Sequence, residues 1–194
     1  MLLRSACRLA ALLGLAALAT PAKAQLMVET FTGAPETRWR FFTDTVMGGV
    51  SSGRVDFVSE GGRVHARMTG KVSTVNNGGF IQIRMDLANP PPAEIQGVRL
   101  VVRGNRQRYF IHLRTTGTLL PWQYYQAGFE AGATWKEVRL SLASCKPTGA
   151  MLSVTARPTS LTSIGIVAYG RDHEAAIEIR EVTFYWRAPK AYAY

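Results

Sequence analysis

Between Asp44 and Gly53 the chain reads DTVMGGVSSG. Its last five residues, Gly49 to Gly53, fit G-x-S-x-G, the pattern of a nucleophile elbow, in which a strained strand-to-helix turn lifts a serine hydroxyl for attack. Whether Ser51 is that nucleophile or part of a glycine-rich turn decides the fold class. The residues that follow, Arg54-Val-Asp-Phe-Val-Ser59, alternate in the period of a strand and offer no helix. No succession of α/β units supplies the parallel sheet that an elbow crowns. The turn reading therefore wins, with Gly48 and Gly49 providing backbone freedom and Ser51 bonding to nearby backbone.

Outward from this turn the period of two continues. Strands are predicted at 53–59, 63–69, 79–85, 98–103, 109–115, 123–129, 134–142, 163–169 and 176–186. Turn signals divide them, among them Glu60-Gly61-Gly62, Asn76-Asn77-Gly78-Gly79 and Asn89-Pro90-Pro91-Pro92. No segment past residue 25 sustains a helical period. Short strands punctuated by Gly and Pro predict an all-β fold, an antiparallel β-sandwich or jelly roll. In the last strand the apolar face changes from odd positions (Ile177, Ile179) to even ones (Val182, Phe184, Trp186), which predicts a bulge near Arg180-Glu181.

Residues 1–24 carry Arg4 and Arg8 ahead of an apolar run, then Pro21 and Ala22-Lys23-Ala24. This is the pattern of a secretory signal peptide, and it predicts a periplasmic or secreted protein. One domain over 25–188 and a frayed tail at 189–194 are expected to follow. The formal charge of the 194-residue chain is +10, and loss of the leader's three basic residues lowers it to +7. That balance suits an anionic partner, a membrane surface included, while export argues against nucleic acid. Cys145 is the one cysteine beyond the leader, and His65, His112 and His173 are far apart, so no metal site or cofactor is predicted.

Taken with its neighbours, DTVMGGVSSG resembles the opening signature of the complex I intermediate-associated protein thirty family. The resemblance continues through NNGGFIQIR (Asn76 to Arg84), LVVRGNRQRYFIHLR (Leu100 to Arg114) and YYQAGF (Tyr124 to Phe129). Trp135 and Ile164-Gly165-Ile166 complete the order. It implies a galactose-binding-like sandwich that acts as a binding or assembly module and not as an enzyme. The family is named for an assembly factor of mitochondrial NADH dehydrogenase, which makes a protein the expected partner. Here the family's proline-phenylalanine pair is replaced by Leu140 to Cys145, and the predicted export separates the chain from the matrix-side role.

Two groups of residues carry the site expectations. The signature residues Asp44, Met47, Gly48, Gly49, Ser51, Asn77, Gly78 and Gly79 form turns, and Asp44 is expected to pair with Arg84, Arg103 or Arg114, the arginines that end apolar runs. Trp122, Tyr124 and Tyr125 form an aromatic cluster that could stack on a sugar, although alternation sends at least one into the core. A carbohydrate-binding module is thus the alternative to a protein-binding one. A hydrolase using Ser51 or a pair of acids ranks last.

Overall fold

The computed structural model describes residues 26–186, with side chains from Glu29 onward. The expected leader and tail lie outside the described residues. The chain runs through twelve strands: β1 (Leu26–Glu29), β2 (Trp39–Thr43), β3 (Ser52–Glu60), β4 (Arg63–Val72), β5 (Phe80–Asp86), β6 (Ile95–Gly104), β7 (Gln107–Thr115), β8 (Tyr125–Ala131), β9 (Lys136–Ser141), β10 (Lys146–Pro147), β11 (Leu161–Tyr169) and β12 (His173–Trp186). They pair antiparallel in two six-stranded sheets. The first has the order β3-β4-β12-β6-β9, with β1 also on β12; the second has the order β10-β8-β7-β11-β5-β2. All nine predicted strands are present within a few residues. Three are new: β1, β2 and the two-residue β10.

Alternation explains the packing. Met68, Leu100, Ile177 and Phe184 of the first sheet face Ile81, Ile83, Ile111 and Ile166 of the second across one buried core. Tyr109 crosses between the layers, since its hydroxyl accepts from the Ala176 N–H (2.8 Å) and donates to Asn105 (2.7 Å). In β12 the register slips between Ile179 and Glu181, leaving Arg180 as the extra residue. The predicted bulge lies there, and it switches the core-facing positions from odd to even.

The β2 strand hid from its sequence because Trp39-Arg-Phe-Phe is apolar on both faces: Trp39 is core, while Phe42 stands outside. Just before it, Glu29 is buried and accepts a two-pronged ion pair from Arg38 (2.9 Å each) and the Trp39 indole N–H (3.0 Å). Burial pushes its pKa up, but these bonds outweigh that effect and hold it low.

The signature turn ties the two sheets at one rim. A single 3-10 turn, Asp44–Met47, follows β2 and stops at Gly48, whose φ is +87°. The buried Asp44 carboxylate accepts from the N–H of Ser51 (2.9 Å), Gly79 (2.5 Å) and Phe80 (3.2 Å) and from the Ser51 hydroxyl (2.5 Å). Ser51 Oγ in turn accepts from the Ser73 N–H (2.9 Å) at the end of β4. A Cβ at Gly49 or Gly78 would fall inside the carboxyl group, so the turn needs glycine at both places.

The expected pairing of Asp44 with an arginine is corrected: among the described residues no ion pair includes it. Backbone N–H groups hold the carboxylate, because they reach a buried oxygen without bringing a second charge out of water. The Ser51 hydroxyl is buried and already bonded, and strand β3 follows it directly.

Burial raises the Asp44 pKa, yet the bonds from Gly79, Ser51 and Phe80 outweigh it and leave the group below its ordinary 3.8. Its contribution is therefore complete above that value and fades as pH falls toward the lower folded one. Asp44→Ala should destabilise the fold by about 3 kcal/mol or more, since it strands several buried donors. Urea unfolding at neutral pH measures this, and a loss under about 0.5 kcal/mol, the range of an ordinary surface change, would refute the anchor.

Candidate functional site

The two outer sheet faces differ in kind. On the first sheet, Arg99 pairs with Glu137 (2.7 Å) and Glu181 (2.8 Å), and Arg139 pairs with Glu137 (2.6 Å). Arg103 bridges Glu178 (2.7 Å) and Glu60 (2.9 Å). The Trp135 ring meets the guanidinium groups of Arg103 and Arg180, at 4.6 and 4.7 Å, with His65 edge-on at 5.4 Å. Glu60, His65 and Glu178 bring three ligand atoms within 4.8 Å of one another. The Arg103 guanidinium already joins the two carboxylates, and Arg67 (3.5 Å from Glu178) adds a further positive charge. A cation entering there would have to displace a bound one. Most charges on this face are thus paired, Arg180 beside Trp135 being without a carboxylate partner among the described residues.

The second sheet's outer face is built otherwise. Residues opposed in register point the same way, so the pairings define rows across the sheet. One row is Gln126–His112–Gly165–Arg84–Arg40; the next is Gly128–Phe110–Val167–Gln82–Phe42. Gly165 and Val167 lie buried at the centre, and half-buried rings stand around them. Tyr124 stacks on His112 at 3.8 Å and 14°, and Tyr169 meets both His112 (5.7 Å) and Phe110 (6.0 Å) edge-on. Across the floor Phe42 and Phe80 pack edge to face at 6.1 Å, with Arg84 over the Phe42 ring at 5.1 Å. Aromatic planes and polar groups thus alternate on one surface.

The expected site residues divide among three places. Asp44, Gly49, Ser51, Gly78 and Gly79 build the rim anchor. Asn77 has φ +58° in the adjoining turn, and Gly48 and Met47 are exposed at its tip. Arg84 and Arg114 stand on the second sheet's outer face, whereas Arg103 belongs to the opposite sheet. Of the aromatic cluster, Tyr124 joins the face, Trp122 is exposed in the preceding turn, and Tyr125 is a core residue. The cluster is therefore not one patch, because β8 begins only at Tyr125 and alternation sends that ring inward. Phe42, Phe80, Gln82, Phe110, His112 and Tyr169 were missed as a group. The available signal was the apolar character of alternate positions on both faces of β2 and β7.

His112 is buried on this face and contacts Gln126 through its Nε2 (2.9 Å). Burial, only partly opposed by that bond, lowers its pKa to about 4, so the ring is neutral at pH 7. Between an ordinary 6.5 and about 4 the unfolded chain takes up a proton that the folded one refuses. This contribution to stability is full above pH 6.5 and falls on acidification through that window, by on the order of 3 kcal/mol. In His112→Gln the melting temperature should lose that part of its pH dependence. Parallel pH profiles for the two proteins would refute a buried neutral ring.

Known proteins give the fold a context. The family described as complex I intermediate-associated protein 30 (CIA30) matches residues 30–179. No curated protein matches in sequence. Among solved structures, the family 11 carbohydrate-binding module of the cellulosomal cellulase Lic26A-Cel5E of Clostridium thermocellum superposes with a TM-score of 0.70 at 12% identity, covering 87% of this chain and 98% of that one. The Clostridium thermocellum family 11 module in complex with a β-1,3-1,4-mixed-linked tetrasaccharide gives 0.67 at 12%, covering 82% and 94%. The family 30 module of cellulase Cel9D-Cel44B from the same organism gives 0.52 at 12%, covering 71% and 84%. At these identities the likeness is one of fold, a galactose-binding-like sandwich. With its signature turn and nearly the whole sandwich inside the match, the chain belongs to the complex I intermediate-associated protein 30 (CIA30) family.

Proposed function

We propose that this protein is a non-catalytic binding module that works outside the cytoplasm and holds a carbohydrate chain across the outer face of its second sheet. The observation that carries this reading is the alternation of ring planes with hydrogen-bonding groups on that face. Tyr169, Tyr124 and Phe110 stand on it as rings, and Gln82, Gln126 and Arg84 share the rows that run through or beside them. A sugar ring has one apolar face and an equator of hydroxyls, so it needs both kinds of contact at once. The likeness in fold to modules named for carbohydrate binding supports the same reading. The opposite sheet, with most of its charges already paired, has less left to offer such a ligand.

Chemistry as well as likeness supports a non-catalytic reading. The Ser51 hydroxyl is tied to Asp44 and Ser73, and the Cys145 thiol is buried, which raises its pKa to about 11 and keeps it protonated.

A protein partner, the role the family's name suggests, is the second reading. It is favoured by exposed Val46, Met47, Val50 and Val75 on the rim, where the Asn76 amide donates to the Gly48 carbonyl (3.3 Å) and joins the two loops. Affinity purification from the envelope fraction, with Met47→Asp as control, tests that rim: loss of one specific co-purifying protein in the variant would favour it.

For the carbohydrate reading, calorimetry against soluble polysaccharides should find one that binds. Tyr169→Ala and Gln82→Ala should each weaken it about tenfold with little change in melting temperature, the worth of one stacked ring or buried polar contact. Undiminished binding in both variants, or none to any polysaccharide, would remove the reading.

A further inference from the structure

At one end of this face, next to the row through Arg84, the pairings align Arg114, Ser163 and Asp86. Together with Arg84, Thr162 and the Leu119–Pro121 loop they line a cleft of roughly 370 Å³. Its charges do not balance. Arg84, Arg114 and Arg40 converge on a single carboxylate, Asp86, which Arg40 contacts directly and Arg84 Nε approaches only to 3.9 Å. Arg114 has no carboxylate partner among the described residues. Its guanidinium donates to the carbonyls of Thr118 (2.8 Å), Leu120 (3.2 Å) and Pro121 (3.0 Å), which fix its position but leave its charge uncompensated. Burial and the neighbouring Arg84 charge both push its pKa down, with Asp86 opposing them, which places two guanidinium groups within each other's field.

The floor adds a second, independent sign. Ser163 is 3% exposed, and its Oγ has no hydrogen-bond partner among the described residues; the buried Nε of Arg84 has none either. Buried polar groups in folded proteins are normally bonded, so unpaired donors beneath uncompensated cations mark a place for an acceptor. On the first sheet Arg99 and Arg103 are each matched by two glutamates. Here three arginines share one carboxylate, that of Asp86.

We infer that this cleft takes an anionic substituent of the bound saccharide, a uronate carboxylate or a sulfate ester, between Arg84 and Arg114 with Ser163 beneath. The inference rests on the carbohydrate reading and narrows it to acidic glycans. Planar guanidinium groups suit this role because they offer paired N–H donors to two oxygens of one anion. The cleft continues the row that holds His112 and Gly165, so a chain lying on the rings would bring a charged residue to its end.

The test uses an oligosaccharide bearing uronate groups, its carboxyl-reduced counterpart and a sulfated counterpart, titrated into the same protein at fixed salt. The wild-type protein should bind at least one charged form about tenfold or more tightly than the reduced one, and the better of the two charged forms identifies the anion. The gap should close in Arg84→Gln and narrow in Ser163→Ala. It should persist in Arg54→Gln, a basic residue removed from the opposite sheet, which controls for general attraction to a basic surface. Melting temperatures confirm that each variant is folded. Equal affinity of the wild-type protein for charged and reduced forms would overturn the anion cleft and leave the carbohydrate reading standing. A gap that survives Arg84→Gln would overturn the cleft as well, and so would no binding of any of the three beside a neutral polysaccharide that does bind; the carbohydrate reading itself falls only if no polysaccharide binds.

Discussion

One carboxylate, that of Asp44, collects the N–H groups of Ser51, Gly79 and Phe80 at a place where water is excluded. Through Ser51 the same cluster reaches Ser73 at the end of β4. Strands β2 and β5 of the second sheet are thereby joined to β3 and β4 of the first at one rim. A sandwich held by apolar contact alone can slide, because such contact has no direction. Hydrogen bonds to a fixed carboxylate do have direction, and they set the relation of the two layers at this end. The cost of burying the charge is offset by four donors, and glycines 49 and 78 allow the close approach.

With that rim set, the division of labour between the sheets follows. The first sheet's outer face is filled largely by opposite charges opposed across strands, so most of its charged side chains satisfy one another. The second sheet's outer face carries rings, amides and arginines with fewer partners of their own. Strand β2 is part of the reason, because its pairing with β5 brings Phe42 beside Gln82 and Arg40 beside Arg84. Without the rim turn that ends β2, that edge of the surface would be lost. The anchor and the face belong to one construction, joined at Phe80, whose N–H bonds Asp44 while its ring stands on the face.

The family to which the chain belongs and the modules its fold resembles point to one scaffold serving different partners. A β-sandwich presents loop rims and sheet faces independently, so an interaction can arise on either without remaking the core. In this chain the rim carries exposed aliphatic side chains, and the second face carries rings and cations. Those are different chemistries, suited to different ligands.

The strands, their order of hydrophobic faces and the bulge at Arg180 were legible in the residues, because alternation records which side of a strand is buried. The turn chemistry of DTVMGGVSSG was equally legible: a strand pattern directly behind Gly53 rules out an elbow whatever the remaining fold. What could not be read was the company each polar residue keeps. Asp44 was matched to an arginine on grounds of charge, yet its partners are backbone N–H groups up to 36 residues away, and every non-proline residue carries such a group. Arg84, Arg103 and Arg114 looked alike in sequence; sheet order sent the second to one face and the other two to the opposite one. Local alternation determines inside from outside, but only strand pairing across the whole chain determines which outside residues meet, and a binding surface is made of those meetings.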